Sequence, residues 1–202
     1  MDNAFFSWAT DGLFGNAWWL VLGAFLVMAH FTLMSVTIYL HRCQAHRAVD
    51  LHPLVSHPMR FWLWFTTAMV TQDWVAIHRK HHARCETAED PHSPQVLGIN
   101  KVLFHGVTLY QSARKDRTIH AQFGHGTPTD WVERHVYARY PALGPSLLLF
   151  ANIGVFGAIG ITVWALQMLV IPVLAAGVIN GLGHWWGYRN FETDDRATNI
   201  SP

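Results

Sequence analysis

Charge is scarce in this chain: only 13% of its 202 residues are Asp, Glu, Lys or Arg, about half the share usual for a soluble domain. Positive charge is in no excess either. The formal net charge is +1, which excludes the clearly basic face that nucleic-acid binding needs. Cysteine is nearly absent. Cys43 and Cys85 are too few for a disulfide framework and read as reduced thiols. Residues 1–17 contain no Lys or Arg, so the basic start of a signal peptide is missing, and the apolar run that follows is too long for a signal h-region. No internal repeat or low-complexity segment is evident. The length suits one domain, residues 1–202.

Apolar residues instead gather in long runs, with ten Trp and twelve Phe suited to a lipid interface. Trp18 to Leu40 carries no charge; at 1.5 Å per residue it reaches roughly 35 Å, enough to cross a bilayer core of about 30 Å. The run from Phe61 to Gln72 lies between Arg60 and Asp73. It is short for a crossing and reads as an interfacial or buried helix. From His78 to Tyr140 the chain is charged and carries turn signals at Asp90-Pro91, Ser93-Pro94 and Gly124 to Pro128. Leu143 to Trp186 is again free of Asp, Glu, Lys and Arg. One helix of that length would overshoot a bilayer, so two spans with a reversal in Gly154–Gly160 are expected, Pro172 kinking the return.

The expected fold is therefore all-α and integral to a membrane. It has one N-terminal span, a short interfacial or buried helix, a cytoplasmic helical segment and a C-terminal helical hairpin, with spans at about 18–40, 144–161 and 163–184. This topology puts residues 41–142 and 185–202 on one side. All 14 Lys and Arg fall there, which makes that side cytoplasmic.

Fourteen histidines are the anomaly. A spacing of five occurs three times, at His41–His46, His52–His57 and His120–His125, and is weak by itself. Position separates the pairs. His41 and His46 follow directly on the first span, whereas the second pair lies among Pro53 and Pro58 and the third in a Gly-bearing loop; these two are read as non-ligands. His78, His81 and His82 stand at i, i+3 and i+4, on one helix face, so three imidazoles can converge. Asn180 and His184 are a polar pair on an otherwise apolar helix, and such pairs usually face a site. The topology brings these three segments to one membrane face. His30, mid-span, reads as an interhelical hydrogen-bonder.

Imidazole suits several transition metals. A closed zinc site needs four ligands, so seven positions suggest two metals. A carboxylate-bridged bundle wants two Glu-x-x-His motifs; only Glu89 to His92 fits, and Pro91 breaks it. A metal pair held mostly by histidine remains.

The segments His41-Arg-Cys-Gln-Ala-His46, Trp74-Val-Ala-Ile-His-Arg-Lys-His-His82, Glu86-Thr-Ala-Glu-Asp-Pro-His92 and Asn180-Gly-Leu-Gly-His184-Trp-Trp-Gly-Tyr188 together resemble the membrane fatty-acid desaturases of the stearoyl-CoA (acyl-CoA delta-9) type. The resemblance covers nearly the whole chain and is nearest to compact prokaryotic members without a fused cytochrome domain. It implies two iron ions (Fe2+) and O2 as oxidant, removing two hydrogens from a long-chain fatty acyl substrate, commonly at the ninth carbon. Electrons would come from a ferredoxin, a rubredoxin, or cytochrome b5 with its reductase. The resemblance also implies that His41, His46, His78, His81, His82 and His184 ligate iron and that Asn180 acts through a water. The family carries a further His-x-x-His-His after the last span. This sequence reaches Pro202 without one, so it reads as C-terminally truncated, incompletely metallated or inactive as it stands.

Arg42, Arg79, Lys80 and Arg84 are candidates to pair with phosphates of a CoA head group. Trp62, Trp64, Phe65 and Trp74 are candidate walls of an acyl channel, with Trp74 placed among the substrate-binding residues. Asp73, Glu86 and Asp90 are candidates to orient ligand imidazoles. The rival readings are a lipid hydroxylase with the same oxidant, and a membrane protein that binds haem or metal without catalysis.

Overall fold

The computed structural model describes residues 3–15, 17–192 and 196–200. Among these residues the chain is helical, and its only β pairing is an isolated bridge between Tyr188 and Asn199. The principal helices are α1 (Asn3–Asp11), α2 (Trp18–Ala45), α3 (Pro53–Thr67), α4 (Thr71–Ala83), α5 (Pro94–Leu97), α6 (Ile99–Arg114), α7 (Arg117–Phe123), α8 (Leu143–Phe156) and α9 (Ile159–His184). A short π-helical turn, Glu133–Tyr137, precedes α8.

Among the described residues, two helices are long and apolar enough to cross a membrane. They are α2, with 28 residues, and α9, with 26. α2 exceeds its expected span because it continues past its α-helical part in π geometry from Val36, whereas α9 begins four residues earlier than expected and turns to π geometry at Val173, just after Pro172. Proline removes a backbone donor and forces such adjustments. The remaining expected span is the shorter apolar helix α8, whose 14 residues reach roughly 21 Å. The reversal into α9 falls at Gly157 and Ala158. Gly157 takes φ +64, and a Cβ on Gly160 would sit 2.2 Å from the Asn152 carbonyl oxygen; only glycine allows both. The short apolar helix begins earlier than expected, at Pro53. Proline suits a first helical turn, and His52 Nδ1 accepts from the Leu54 amide at 3.3 Å.

The chain forms two compact units. Unit 1 comprises Met1–Tyr39, Val49–Val70 and Thr129–Ile171; unit 2 comprises Leu40–Ala48, Thr71–Pro128 and Pro172–Pro202.

In unit 1, apolar side chains such as Trp18, Trp19 and Val27 are exposed on α2, as a lipid-facing helix requires. The helices are joined by polar groups. Thr32 is fully buried. Its hydroxyl donates to the Met28 carbonyl at 2.8 Å and accepts from Trp62 Nε1 at 2.9 Å and Gln167 Nε2 at 3.3 Å. One donor and two acceptor sites are all that a hydroxyl has, so α2, α3 and α9 meet at a saturated atom. Trp62 and Trp64 are both structural donors here, Trp64 to the Tyr140 carbonyl at 3.0 Å. His30, expected to bridge helices, lies instead on the exposed side of α2. Elsewhere in the unit, buried Arg60 grips Asp130 through both terminal nitrogens, at 2.5 and 3.1 Å, and the hydrogen bond from Arg60 holds the Asp130 carboxyl down at about 2.

In unit 2, α4 presents Ala76 and Ile77, nearly inaccessible, to Ile119 of α7 and to Tyr110, Ala113 and Phe123. Asp73, in the first turn of α4, accepts from Arg114 and from His120 Nε2 at 2.8 Å. This carboxylate, expected beside the ligand imidazoles, instead ties α6 and α7 to α4.

Replacing Thr32 with Val leaves two donors without their acceptor. It should lower the thermal stability of the detergent-solubilised chain by about 1–2 kcal/mol, the scale of interhelical polar contacts in membranes; an unchanged melting curve would contradict the saturated junction. The Asp130 carboxyl is depressed from an unfolded value near 3.9, so its pairing with Arg60 stabilises above pH ~4 and is lost as pH falls toward ~2. Asp130→Asn should therefore melt earlier than wild type at neutral pH. The gap should begin to close below about pH 4.

Candidate metal centre

Five residues along an α-helix turn through about 500°, leaving His41 and His46 roughly 140° apart on its surface. The structure removes that offset by widening the helix. Val36–Ala45 is π-helical, and the His46 amide bonds to the His41 carbonyl five residues back at 3.0 Å. The two rings then stand 4.5 Å apart between centroids. π-Helical insertions are frequent at functional sites, and here the π stretch makes a spacing of five usable.

The partner rings come from α4. His78 and His82, one α-turn apart, have centroids 4.6 Å from each other and 4.8 Å from His41 and His46 respectively. One nitrogen from each of His41, His46, His78 and His82 lies within 4.8 Å of all the others. His46 Nε2 and His78 Nε2 face each other at 3.1 Å. Two nitrogens bound about 2.1 Å from one ion at a right angle would be separated by about 3.0 Å. His78 is buried, and burial, then the neighbouring imidazoles, pushes its pKa far below the usual range. It is neutral at physiological pH, the form that ligates. Trp74 lies flat on it, at 4.6 Å and 16°.

A second group forms around His81. Both oxygens of buried Asp90 accept from His81 Nδ1, at 2.9 and 3.0 Å, and the same carboxylate takes the backbone amides of Glu86 and His92, each at 3.1 Å. Burial alone would raise the Asp90 pKa, but the His81 hydrogen bond and charge carry it down. His184 Nδ1 bonds to Glu86 Oε1 at 3.1 Å, and Ser93 donates to the other oxygen of Glu86. Each carboxylate thus holds one imidazole in the Nδ1–H tautomer, which puts the lone pair on Nε2. His81, Cys85 and His184 bring ligand atoms within 4.8 Å of one another.

Six of the seven expected ligand positions are thereby gathered in two groups, with Glu86 and Asp90 in the orienting role expected of them. Asn180 is not among them; its side-chain amide donates to the Ala175 carbonyl at 3.5 Å. His92 and Cys85 were not foreseen as site residues. The His92 ring lies 4.3 Å from that of His81, tilted by 31°, and forms a third group with His81 and Asp90. Its Nε2 is buried without a hydrogen-bond partner, and burial, then the charge of His81, pushes its pKa down to about 3. The sequence signal was Asp90-Pro91-His92, a turn that sets His92 two residues from a buried carboxylate.

The expected phosphate partners differ in their use. Arg42 is exposed, Lys80 half-buried, and Arg84 pairs with Glu89 at 3.3 Å. Arg79 is not available to a phosphate: four of its N–H donors are committed to main-chain carbonyls. The other His pairs do structural work, with His57 against Arg60 and His120 against Asp73.

If the carboxylates set the lone pairs, Asp90→Asn should weaken metal binding about 10- to 100-fold, the usual cost of losing such a partner. Titration of the purified chain with Fe2+ or Co2+ measures this, and wild-type affinity in the variant would remove Asp90 from that role.

The comparisons with known proteins agree with this geometry. The chain is 24% identical over 171 residues to the Delta-9 acyl-lipid desaturase 2 of Arabidopsis thaliana, covering 83% of this chain and 53% of that protein. It is 28% identical over 201 residues to the Hex-5-enoyl-[acyl-carrier protein] acetylenase of Moorena producens, covering 91% and 57%. It is 24% identical over 208 residues to the Icosanoyl-CoA 5-desaturase of Limnanthes douglasii, covering 98% and 53%. The chain thus spans little more than half the length of these relatives. No solved structure matches it significantly. The family model described as "Fatty acid desaturase" matches residues 16–202, nearly the whole chain, and on that match the chain belongs to the fatty acid desaturase family.

Proposed function

We propose that this chain carries the metal-binding core of an O2-dependent di-iron desaturase that introduces a cis double bond into a long-chain fatty acyl substrate, at the ninth carbon and with CoA as carrier. The observation that carries the reading is the pair of imidazole groups in unit 2, one of four neutral-capable rings and one with rings fixed by carboxylates. Soft thiolate does not dominate, and carboxylate stands one step behind the imidazoles; nitrogen-rich sites of this kind suit iron among other transition metals.

In this reading His41, His46, His78 and His82 hold one iron. His81 and His184 hold the other, with Asn180 acting through a water as the resemblance implies. The bound irons supply the redox chemistry by which O2, two electrons and two protons take two hydrogens from the acyl chain and leave as water. The protein's own part is to bind, orient and exclude water. Asp90 and Glu86 keep His81 and His184 in one tautomer, so neither ring needs to shed a proton to ligate. Trp74 covers His78 and excludes solvent from that side. The acyl chain must be held straight at the reacting carbons, since position decides which C–H bond is attacked.

Arg42, Lys80 and Arg84 are the basic groups beside the centre that support an anionic carrier. The relatives' names include acyl-lipid, acyl-carrier-protein and CoA substrates, so the carrier is tested by offering all three. The electron donor is a ferredoxin, rubredoxin or cytochrome b5 partner; the protein is multi-pass, with the histidine groups on the cytoplasmic face, as the distribution of Lys and Arg supports.

The test joins metal analysis to lipid product analysis. Wild-type chain should bind iron, and a host expressing the protein at the full length of its relatives should accumulate a cis-monoenoic fatty acid. His81→Ala should lose the second iron and abolish the product; wild-type-like double-bond formation in that variant sinks the ligand assignment. A hydroxy fatty acid instead of an alkene would favour the hydroxylase. Metal without any O2-dependent product would leave a metal-binding membrane protein, and a Soret band would mark haem.

A further inference from the structure

Arg79 lies between His78 and Lys80 on α4, and its side chain does not follow the histidines into the metal groups. It runs to two other segments of unit 2. Nε donates to the Ala45 carbonyl at 3.0 Å and Nη2 to the Gln44 carbonyl at 2.8 Å; Nη1 donates to the Phe123 carbonyl at 3.0 Å and the His125 carbonyl at 2.8 Å. A guanidinium has five N–H donors in a fixed planar fork, and four are taken by main-chain oxygens.

Gln44 and Ala45 are the last residues before His46, at the end of the π-helical stretch that brings His41 and His46 together. The carbonyls at a helix end have no partner within the helix and carry its negative dipole end, so a cation there is favourable. A π-helical stretch is also rare compared with α-helix. Left uncapped, this end can rewind to α geometry, which would swing His41 and His46 roughly 140° apart.

We propose that Arg79 is the positioning residue that fixes the π-helical end of α2 against α4, and that through it the four-imidazole group His41, His46, His78 and His82 is preorganised for metal. The guanidinium caps the segment carrying two ligands from the helix carrying the other two. The Phe123–His125 loop supplies its remaining acceptors and fixes the fork's plane. This inference rests on the metal-centre reading above, and it reassigns Arg79 from the substrate to the architecture of the site.

The experiment is cobalt titration of the full chain in detergent, with visible ligand-field absorption and metal stoichiometry read together. It uses wild type, Arg79→Gln, Arg79→Lys and Arg114→Gln. The last removes a comparable arginine contact in unit 2, to Asp73, whose carboxylate is held by Arg114 and His120. Arg79→Gln should weaken one class of cobalt sites about 10- to 100-fold and change its absorption bands. The sites dependent on His81 and His184, identified by His81→Ala, should hold their affinity. Arg79→Lys, a point charge without the fork, should restore only part of the loss. Arg114→Gln should lower thermal stability and leave both classes of site intact. Unchanged bands and affinity in Arg79→Gln overturn the proposal. So does an equal loss in Arg79→Gln and Arg114→Gln, which would mean general loosening of the unit. A wild-type chain that takes up no cobalt or iron overturns the metal-centre reading itself, a result distinguishable from either.

Discussion

A spacing of five between two histidines is useless on a regular α-helix, and the site depends on the local abandonment of that geometry. Between Val36 and Ala45 the backbone bonds over five residues rather than four, and the rings of His41 and His46 come to 4.5 Å. The His78, His81, His82 triple needs no such distortion, because offsets of three and four are natural to α geometry. One motif therefore reads straightforwardly as a helix face, while the other requires a backbone that ordinary helical reasoning does not supply. The cost of the π-turn is met by contacts around it, and the guanidinium of Arg79 is the most specific of them.

The second constraint is protonation. Imidazoles crowded within 4.8 Å of one another cannot all carry charge, and burial adds to the penalty on the protonated form. His78 responds by staying neutral. His81 and His184 are each given a carboxylate on Nδ1, which fixes the tautomer and also places a negative charge one atom behind the ring. This arrangement keeps charge compensation out of the ligand set itself. Neutral nitrogen ligands leave the positive charge of a bound ion largely uncancelled, and Asp90 and Glu86 answer it through the rings they hold.

The sequence made the helical class, the two long apolar helices and six positions of the two imidazole groups legible, because each rests on a short-range period or on composition. Helix boundaries were less legible. α3 begins at Pro53 rather than Phe61 because proline serves as its first turn, α2 runs on past Leu40 in π geometry, and α9 starts four residues early. Long-range pairings were partly legible: Glu86 and Asp90 were recognisable as orienting carboxylates by their closeness to the histidines, yet Asp73, just as close, pairs with Arg114 and His120. Nothing local distinguishes these three acids. What separates them is which helix packs against each, information the chain holds only in its tertiary contacts. His30 failed for the opposite reason: a mid-span histidine is expected to find an interhelical partner, and this one lies exposed on α2.

Arg79 shows why a motif can be recognised and still misread. The four basic residues beside the first two histidine motifs look alike as charges, and charge alone suggests an anionic substrate. Geometry separates them. Arg84 meets a side-chain carboxylate on the surface, a pairing worth little, and its guanidinium remains accessible to other anions. Arg79 meets four carbonyl oxygens that have no charge to neutralise but have directions to satisfy. Lysine could supply charge at that point and not the planar set of donors, whereas a phosphate would accept either residue. The identity of the residue thus tracks the main-chain geometry it caps, which makes the fork of Arg79 part of the same device as the π-turn: one sets the two histidines on a common face, and the other keeps that face turned toward α4.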